Sequence, residues 1–399
     1  MNPKTIKLID YWLGIPLTWL LTVFSIRKFT LNKPSKILFI KLIEQGATIL
    51  AIPGLQRAIQ LVGRENVYFL VFPENRPVLD VLNIIPSENI LEISGSSFFK
   101  FIKDTFKALS FIRKTKIDTT IDMEFFSRFT AVFAFFCGAQ NRVGYHRYTS
   151  ELPMRGNLMT HKVQYNPYIH VSVAYYLLVE STILNPGIIP FPKVDVGQIK
   201  LSLPEIKPQP EDIENIRNMI QLHGVNPDNY KIIILNPNAG DMLPLRKWNN
   251  ANYLKLAEKL LIQYQDILII FTGNDSEKDI VHDLCCSLFS DRAISLAGET
   301  SLKELFALYY ISELLVTNDS GPAHFASTTN INILTLFGPE TPTLFSPLSN
   351  KAHNIRKNLS CSPCVSVLNQ RFSPCNDNVC MKQITVDEVF EKILEIINH

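Results

Sequence analysis

Short aliphatic runs alternating with helix-periodic segments constrain this chain more than any other feature. The runs at 231–235 (KIIIL), 267–271 (ILIIF) and 314–317 (LLVT) are too short for helices and apolar on both faces of a strand. Bounded by turn residues, such runs read as strands buried on both sides, and the helical segments between them imply parallel pairing through crossovers. Further strands are expected at 293–296 and 333–337, and in the first half at 36–42, 67–72, 90–93, 119–123 and near 142–144. Helices are expected over 48–61, 98–112 and 125–137, the last apolar nearly all round and therefore buried. The expected class is α/β, with a parallel sheet covered on both faces in each half.

Two halves suit a length of 399 residues, which has room for two ordinary cores. With 46% hydrophobic and 19% charged residues the chain is globular, and a net charge of +2 gives no argument for a nucleic-acid partner. Asn185-Pro186-Gly187, Pro190, Pro192, Pro204, Pro208 and Pro210 crowd a stretch of little periodicity. That stretch, 186–212, reads as a linker between a domain over 32–185 and a second over 213–399, whose strand ends are expected to open into a shared cleft.

Residues 1–31 form a separate hydrophobic segment. Tyr11 to Ile26 is an uncharged run of sixteen residues, followed by Arg27 and Lys28. A spanning helix needs about 20 apolar residues, and Gly14 and Pro16 weaken this one further. Ser25-Ile26-Arg27-Lys28 is no signal-peptide cleavage site. Two readings remain, a helix packed on the body or an interfacial helix with Trp12 and Trp19 at the headgroups. The interfacial reading is adopted, because Arg27, Lys28, Lys33 and Lys36 suit an anionic cytoplasmic leaflet.

The working centre is expected at Thr317-Asn318-Asp319-Ser320-Gly321-Pro322-Ala323-His324-Phe325-Ala326, where a strand turns into a helix. Pro322 suits the first helical position, and Asp319 or Ser320 can cap the free amides. Such a turn presents N–H groups at the carboxyl end of a parallel sheet, where ligands bind. Other strand ends carry Asn236-Pro237-Asn238-Ala239-Gly240 with Arg246-Lys247-Trp248, Thr272-Gly273-Asn274-Asp275-Ser276-Glu277, and Phe337-Gly338-Pro339-Glu340-Thr341-Pro342-Thr343. Cations, turn amides, hydroxyls and a carboxylate around one crevice suit a diphosphate joined to a ribose. No G-x-G-x-x-G follows any expected strand, which argues against a nicotinamide oxidoreductase.

On these motifs the chain resembles glycosyltransferase family 9, the ADP-heptose:lipopolysaccharide heptosyltransferases, from about Lys36 to the end. Weaker matches are the strand and loop at 36–46 and Arg142-Val143-Gly144-Tyr145. The resemblance implies a GT-B fold of two Rossmann-like domains, with a nucleotide-sugar donor held by the second and a lipid-linked glycan acceptor against the first. It implies inverting transfer without a catalytic cofactor, in the cytoplasm and peripheral on the inner membrane. Arg246 would contact phosphate, Glu277 the ribose, and Asp319 with the turn after it the sugar or phosphate. Asn238, Lys247, Thr272, Ser320, Gly321, His324 and Thr341 complete the expected donor-binding set.

One position departs from the family. Its first loop usually carries Gly-Asp, whose Asp takes the acceptor proton, and here the pair is Gly46-Ala47. Glu44 is the expected substitute base, with Asp122 and Glu124 as alternatives; a relative that binds without transfer is the rival reading. Finally, Cys361, Cys364, Cys375 and Cys380 have the spacing C-x2-C-x10-C-x4-C, which suits a structural zinc. Disulfides do not persist in a reducing cytoplasm, which leaves metal or free buried thiols as the alternatives.

Overall fold

Burial on both faces is what the aliphatic runs obtain. The computed structural model describes residues 10–25, 32–148, 155–240, 243–369 and 371–398, and the chain divides into two compact units at Leu201/Ser202, inside the proline-rich stretch. Each unit holds a six-stranded parallel sheet.

The first unit begins with helix α1 (Gly14–Phe24), then runs β1 (Ile37–Ile40), α2 (Gln45–Leu50), α3 (Ile52–Val62), β2 (Val67–Val71), α4 (Arg76–Leu82), β3 (Ile90–Glu92), α5 (Phe98–Thr115), β4 (Thr119–Asp122), α6 (Arg128–Phe136), β5 (Asn141–His146), β6 (His161–Gln164) and α7 (Val171–Glu180). The strand order is β3-β2-β1-β4-β5-β6. Chain direction across the sheet therefore reverses between β1 and β4.

The second unit runs α8 (Pro210–Leu222), β7 (Lys231–Asn236), α9 (Asn250–Gln263), β8 (Ile267–Phe271), α10 (Lys278–Cys286), β9 (Ala293–Ser295), α11 (Leu302–Tyr310), β10 (Leu314–Asn318), α12 (Gly321–Ala326), β11 (Asn332–Phe337), α13 (Pro342–Phe345), β12 (Ala352–Arg356), α14 (Val379–Lys382) and α15 (Val386–Ile397). Its order, β12-β11-β10-β7-β8-β9, repeats the plan with the reversal between β7 and β10. One core cluster joins alternate strand residues Ile233, Leu235, Ile269 and Phe271 to Trp248, Leu256 and Ile393.

Two differences from expectation have local causes. The helix expected over 48–61 is two helices, because Pro53 has no N–H to continue the first. Edge strands β6 (HKVQ) and β12 (AHNIR) carry polar residues and no aliphatic run, so their sequence gives no strand signal.

Helix α1 packs on α6. Thr18 and Leu21 are buried, a Cβ at Gly14 would stand 2.9 Å from Arg128 Cβ, and Arg128 Nη1 pairs with Asp10 at 3.1 Å. The remaining faces of α1 stay exposed, Trp19 among them, as does Trp12 just before the helix. Packing and an outward apolar surface thus coexist in one helix. Among the described residues no helix is long and apolar enough to cross a membrane. Arg27 and Lys28, expected to add charge behind α1, lie outside the described residues.

Candidate functional site

In an open α/β sheet the ligand crevice lies outside the carboxyl ends of the two strands at the reversal. In the second unit the chain leaves those strands at Asn236 and Asn318. Buried Asn318 ties the exits together, its Nδ2 donating to the carbonyls of Pro237 (3.1 Å) and Asn238 (3.2 Å) and its Oδ1 accepting from the Trp248 N–H at 2.9 Å. The Trp248 indole N–H donates to the Ile384 carbonyl at 2.8 Å, which fixes the segment that carries Arg246. Arg246 Nη1 donates to the Asp319 carbonyl at 3.0 Å and stands 3.6 Å from Asp319 Oδ2.

Asp319 and Glu340 are both buried around this guanidinium. Burial pushes each carboxyl above its ordinary value; the Asp319 charge adds to the effect on Glu340, and Arg246 opposes it in both. One cation therefore faces two desolvated carboxyls. Asp319 Oδ2, Glu340 Oε2 and Arg246 Nε have no hydrogen-bond partner among the described residues. Buried polar atoms are normally satisfied, so the group is suited to a ligand that brings phosphate oxygens to Arg246 and hydroxyls to the carboxyls.

The other expected residues fall into three groups. Glu277 closes a capping box, its Oε2 accepting from the Asn274 N–H at 2.8 Å at the exit of β8. Gly273 lies beneath it, because a Cβ there would meet Asn238 Nδ2 at 3.0 Å and Glu277 Oε2 at 3.3 Å. Asn238, Gly273 and Glu277 are thus neighbours, with Asn238 Nδ2 buried and without a protein partner among the described residues. Ser320 and Gly321 form the β10–α12 turn, where Ser320 Oγ donates to the Asn318 carbonyl at 3.2 Å and buried His324 follows one turn on. Because α12 has six residues, its local amides rather than a long helix dipole face the crevice.

The third group is structural in its contacts. Thr272 accepts from Asn236 Nδ2 through its hydroxyl (3.1 Å) and its carbonyl (3.2 Å), joining β8 to β7. Thr341 caps α13 by accepting the Thr343 N–H at 3.3 Å. Lys247 lines a polar hollow with Asn252, Asn378 and Lys382, a set that shares no member with the Asp319 group.

The reversal in the first unit lies between β1 and β4, and the acids weighed as bases cluster at those two exits. Lys41, fully buried, pairs with Glu44 at 3.2 Å and Glu124 at 3.1 Å. Glu124 also accepts from the Leu42 N–H at 2.7 Å, so it braces the loop. Asp122 is fully buried, one oxygen accepting from the Glu124 N–H at 3.0 Å and the other paired with Arg155. Burial lifts its carboxyl to about 6 while Arg155 opposes the rise. Of the three acids Glu44 is the most exposed, with φ of 73° at the N-cap of α2, one turn before half-buried Ala47. Its full burial and its pairing with Arg155 suit a structural part for Asp122. Arg142 is also structural, donating to the carbonyls of Leu158 (2.7 Å) and Ala139 (2.8 Å).

The sequence profile of glycosyltransferase family 9 (heptosyltransferase) matches residues 107–372. The chain belongs to this family. A lipooligosaccharide heptosyltransferase 2 from Campylobacter jejuni is 27% identical over 169 residues, 42% of this chain and 51% of the relative. Lipopolysaccharide heptosyltransferase 2 of Escherichia coli is 31% identical over 116 residues, 28% of this chain and 33% of the relative. The sequence matches thus span about half or less of those relatives. The fold likeness is wider: a solved structure of E. coli ADP-heptose LPS heptosyltransferase II aligns over 91% of this chain and 98% of its own, with TM-score 0.69 at 19% identity. E. coli heptosyltransferase WaaC with ADP aligns over 90% of this chain and 99% of its own, with TM-score 0.61 at 13% identity. The fold of this family 9 chain is GT-B.

The four tail cysteines differ in their contacts. Cys361 is exposed, Cys364 Sγ accepts from the Ser373 hydroxyl at 3.3 Å, and Cys375 Sγ donates to the Asp377 carbonyl at 3.2 Å. Cys380 is buried against Gly338, where a Cβ would approach its Sγ to 3.2 Å. Among the described residues no three His, Cys, Asp or Glu side chains stand together as a metal site.

For this family 9 chain, sequence reasoning included Asn318 and Glu340 in its motifs without giving either a role, and it gave none to Lys41. Glu340 sits among turn residues at the exit of β11, and only its place at a strand's carboxyl end could have flagged it. Lys41 had a clearer signal, a lone cation following four apolar strand residues.

Proposed function

We propose that the chain transfers a heptosyl group, with inversion, from ADP-heptose to a lipid-linked glycan of the lipopolysaccharide core, on the cytoplasmic side of the inner membrane. The observation that carries this reading is the Arg246–Asp319–Glu340 group at the reversal point of the second sheet, one half-buried cation facing two buried carboxyls with unsatisfied atoms. A diphosphate satisfies Arg246, and sugar hydroxyls satisfy the carboxyls. Asn238 and Glu277 sit together at the next strand exit, where the carboxylate suits vicinal ribose hydroxyls. The relatives in family 9 supply the identity of the sugar and acceptor class.

In the reaction the acceptor oxygen attacks the anomeric carbon as the bond from that carbon to the phosphate oxygen breaks. Nucleoside diphosphate leaves with the bonding electrons, and Arg246 with the amides of the Ser320-Gly321 turn stabilises its charge. The acceptor proton goes to Glu44, which Lys41 holds at the exit of β1. A second reading has its own observation: Ala47 stands where the family carries an acid, and a chain without a base binds donor but transfers nothing.

A panel of nucleotides and nucleotide sugars tests the donor assignment by thermal shift, since a ligand of the folded form stabilises it by RT ln(1 + [L]/Kd). ADP and ADP-heptose are expected to raise the midpoint more than their uridine or guanosine counterparts. A panel in which no nucleotide moves the midpoint would remove the donor site.

A further inference from the structure

We propose that helices α1 and α5 of the first unit form a bilayer-docking surface, with α5 supplying both an apolar stripe and a row of lysines for anionic lipid. Helix α5 reads FFKFIKDTFKALSFIRKT. Its inward face is set by Ala108 and Ile112, which are buried in the sheet-facing core. Phe98, Ile102 and Phe106 follow at intervals of four, with Phe99 beside them, so they share one outward stripe. They are 54%, 37%, 68% and, for Phe99, 84% exposed, so the stripe faces solvent.

The lysines are not scattered around this stripe. Lys100, Lys103, Lys107 and Lys114 are spaced by three, four and seven residues, which puts them on a second stripe bordering the phenylalanines. Asp104 is the only acid of α5, and its carboxylate faces away from that border, accepting from the Ser94 N–H at 3.1 Å. A helix with an apolar stripe edged by lysines is the arrangement that lies in the headgroup plane. Its rings enter the acyl boundary while its cations meet lipid phosphate.

Helix α1 joins the same surface. Phe129 at the start of α6 meets α5 and the segment just before α1: its N–H donates to Asp10 at 2.9 Å, and its ring lies 4.9 Å from that of Phe101 in the first turn of α5. Leu21 of α1 belongs to the core cluster that Phe101 and Phe129 pack against. The uncharged α1 therefore presents Trp19 and Phe24, 66% and 71% exposed, with Trp12 (68%) in the turn before it, on the side of the sheet that carries α5. An apolar partner protein would suit the rings but not a lysine border, and that charge pattern selects an anionic bilayer. The inference extends the lipid-linked acceptor reading above, and its test requires no turnover, so the two fail separately.

The test is cosedimentation of the full chain with vesicles of phosphatidylcholine and of an equimolar phosphatidylcholine–phosphatidylglycerol mixture. Binding to the mixed vesicles is expected, weakened by salt and much reduced on phosphatidylcholine alone. Replacing Lys100, Lys103 and Lys107 by Gln should weaken partition on the order of a hundredfold. Phe99→Ser with Phe106→Ser should weaken it at least tenfold, and both sets of changes should leave the thermal midpoint in place because the side chains are exposed. No binding by the intact chain overturns the proposal. So do equal binding to both vesicles, and binding that survives both α5 variants and is lost only when residues 1–25 are removed. A dimer in solution that needs the same phenylalanines, without vesicle binding, also overturns it and assigns the surface to a second copy.

Discussion

Arg246 is the residue on which the donor site turns. It donates to the Asp319 carbonyl, faces the Asp319 carboxylate and offsets the burial of Glu340. Arg246→Ala therefore removes a charged hydrogen-bonding partner worth about 1.5–3 kcal/mol from the diphosphate and leaves two buried carboxyls without a cation. Titration calorimetry with ADP should show affinity falling roughly tenfold to a hundredfold, and the thermal midpoint of the free protein should fall as well. Unchanged ADP affinity would release Arg246 from the phosphate. On the acceptor side, Glu44 meets Lys41 at the exit of β1 and is the most exposed of the three acids there. Glu44→Gln should lower turnover roughly 10²–10⁴-fold with donor affinity intact, and Ala47→Asp, one turn along, should partly restore it. A silent Glu44→Gln in an active enzyme would move the base elsewhere. Asp122→Asn, by contrast, should act on stability, because it strands Arg155 in the core.

At the scale of elements, the central strands and the edges β3 and β9 were legible, and the edges β6 and β12 were not. A run such as Ile267–Phe271 has one physical explanation, burial on both faces, and its bounds agree with expectation to the residue. β6 and β12 are held by neighbours rather than by their own composition, so nothing local marks them. The strand-to-helix turn at Asp319 was legible because Gly321-Pro322 punctuates it, whereas the burial of Glu340 and Lys41 depends on contacts far apart in sequence. The tail is a different case. Four cysteines at metal-like spacing describe what the chain permits, while Cys380 packs against Gly338 and Cys361 faces solvent. Elemental analysis of protein purified without chelator should find zinc well below one per chain. One zinc per chain, lost with thermal stability on Cys361→Ser, would show that the tail closes around metal.

At the scale of the molecule, two buried groups give the stability curve opposing slopes. Burial, with Arg142 nearby, lowers the His161 imidazole to about 4 from 6.5. The unfolded chain then binds a proton that the folded one refuses, so this contribution is full above 6.5 and is lost as pH falls toward 4. Asp122, lifted from 3.8 to about 6, runs the other way: its contribution is full below 3.8 and is lost as pH rises through 6. The wild-type profile alone mixes the two. Urea denaturation of wild type and His161→Gln should separate them, the wild type losing about 3 kcal/mol relative to the variant as pH falls through the histidine window. Parallel profiles would show that His161 titrates normally.

Both units repeat one plan, a parallel sheet with polar groups gathered where the strand order reverses, and the central claim is that this plan serves glycosyl transfer. The most direct measurement is release of ADP from ADP-heptose by the purified full chain, with and without a lipid-linked core glycan whose next heptose is missing. The account predicts acceptor-dependent ADP release in step with heptosyl product, both lost in Arg246→Ala and strongly reduced in Glu44→Gln. Tight binding of ADP-heptose with no product from any core acceptor would contradict it and leave the chain a binding member of the family.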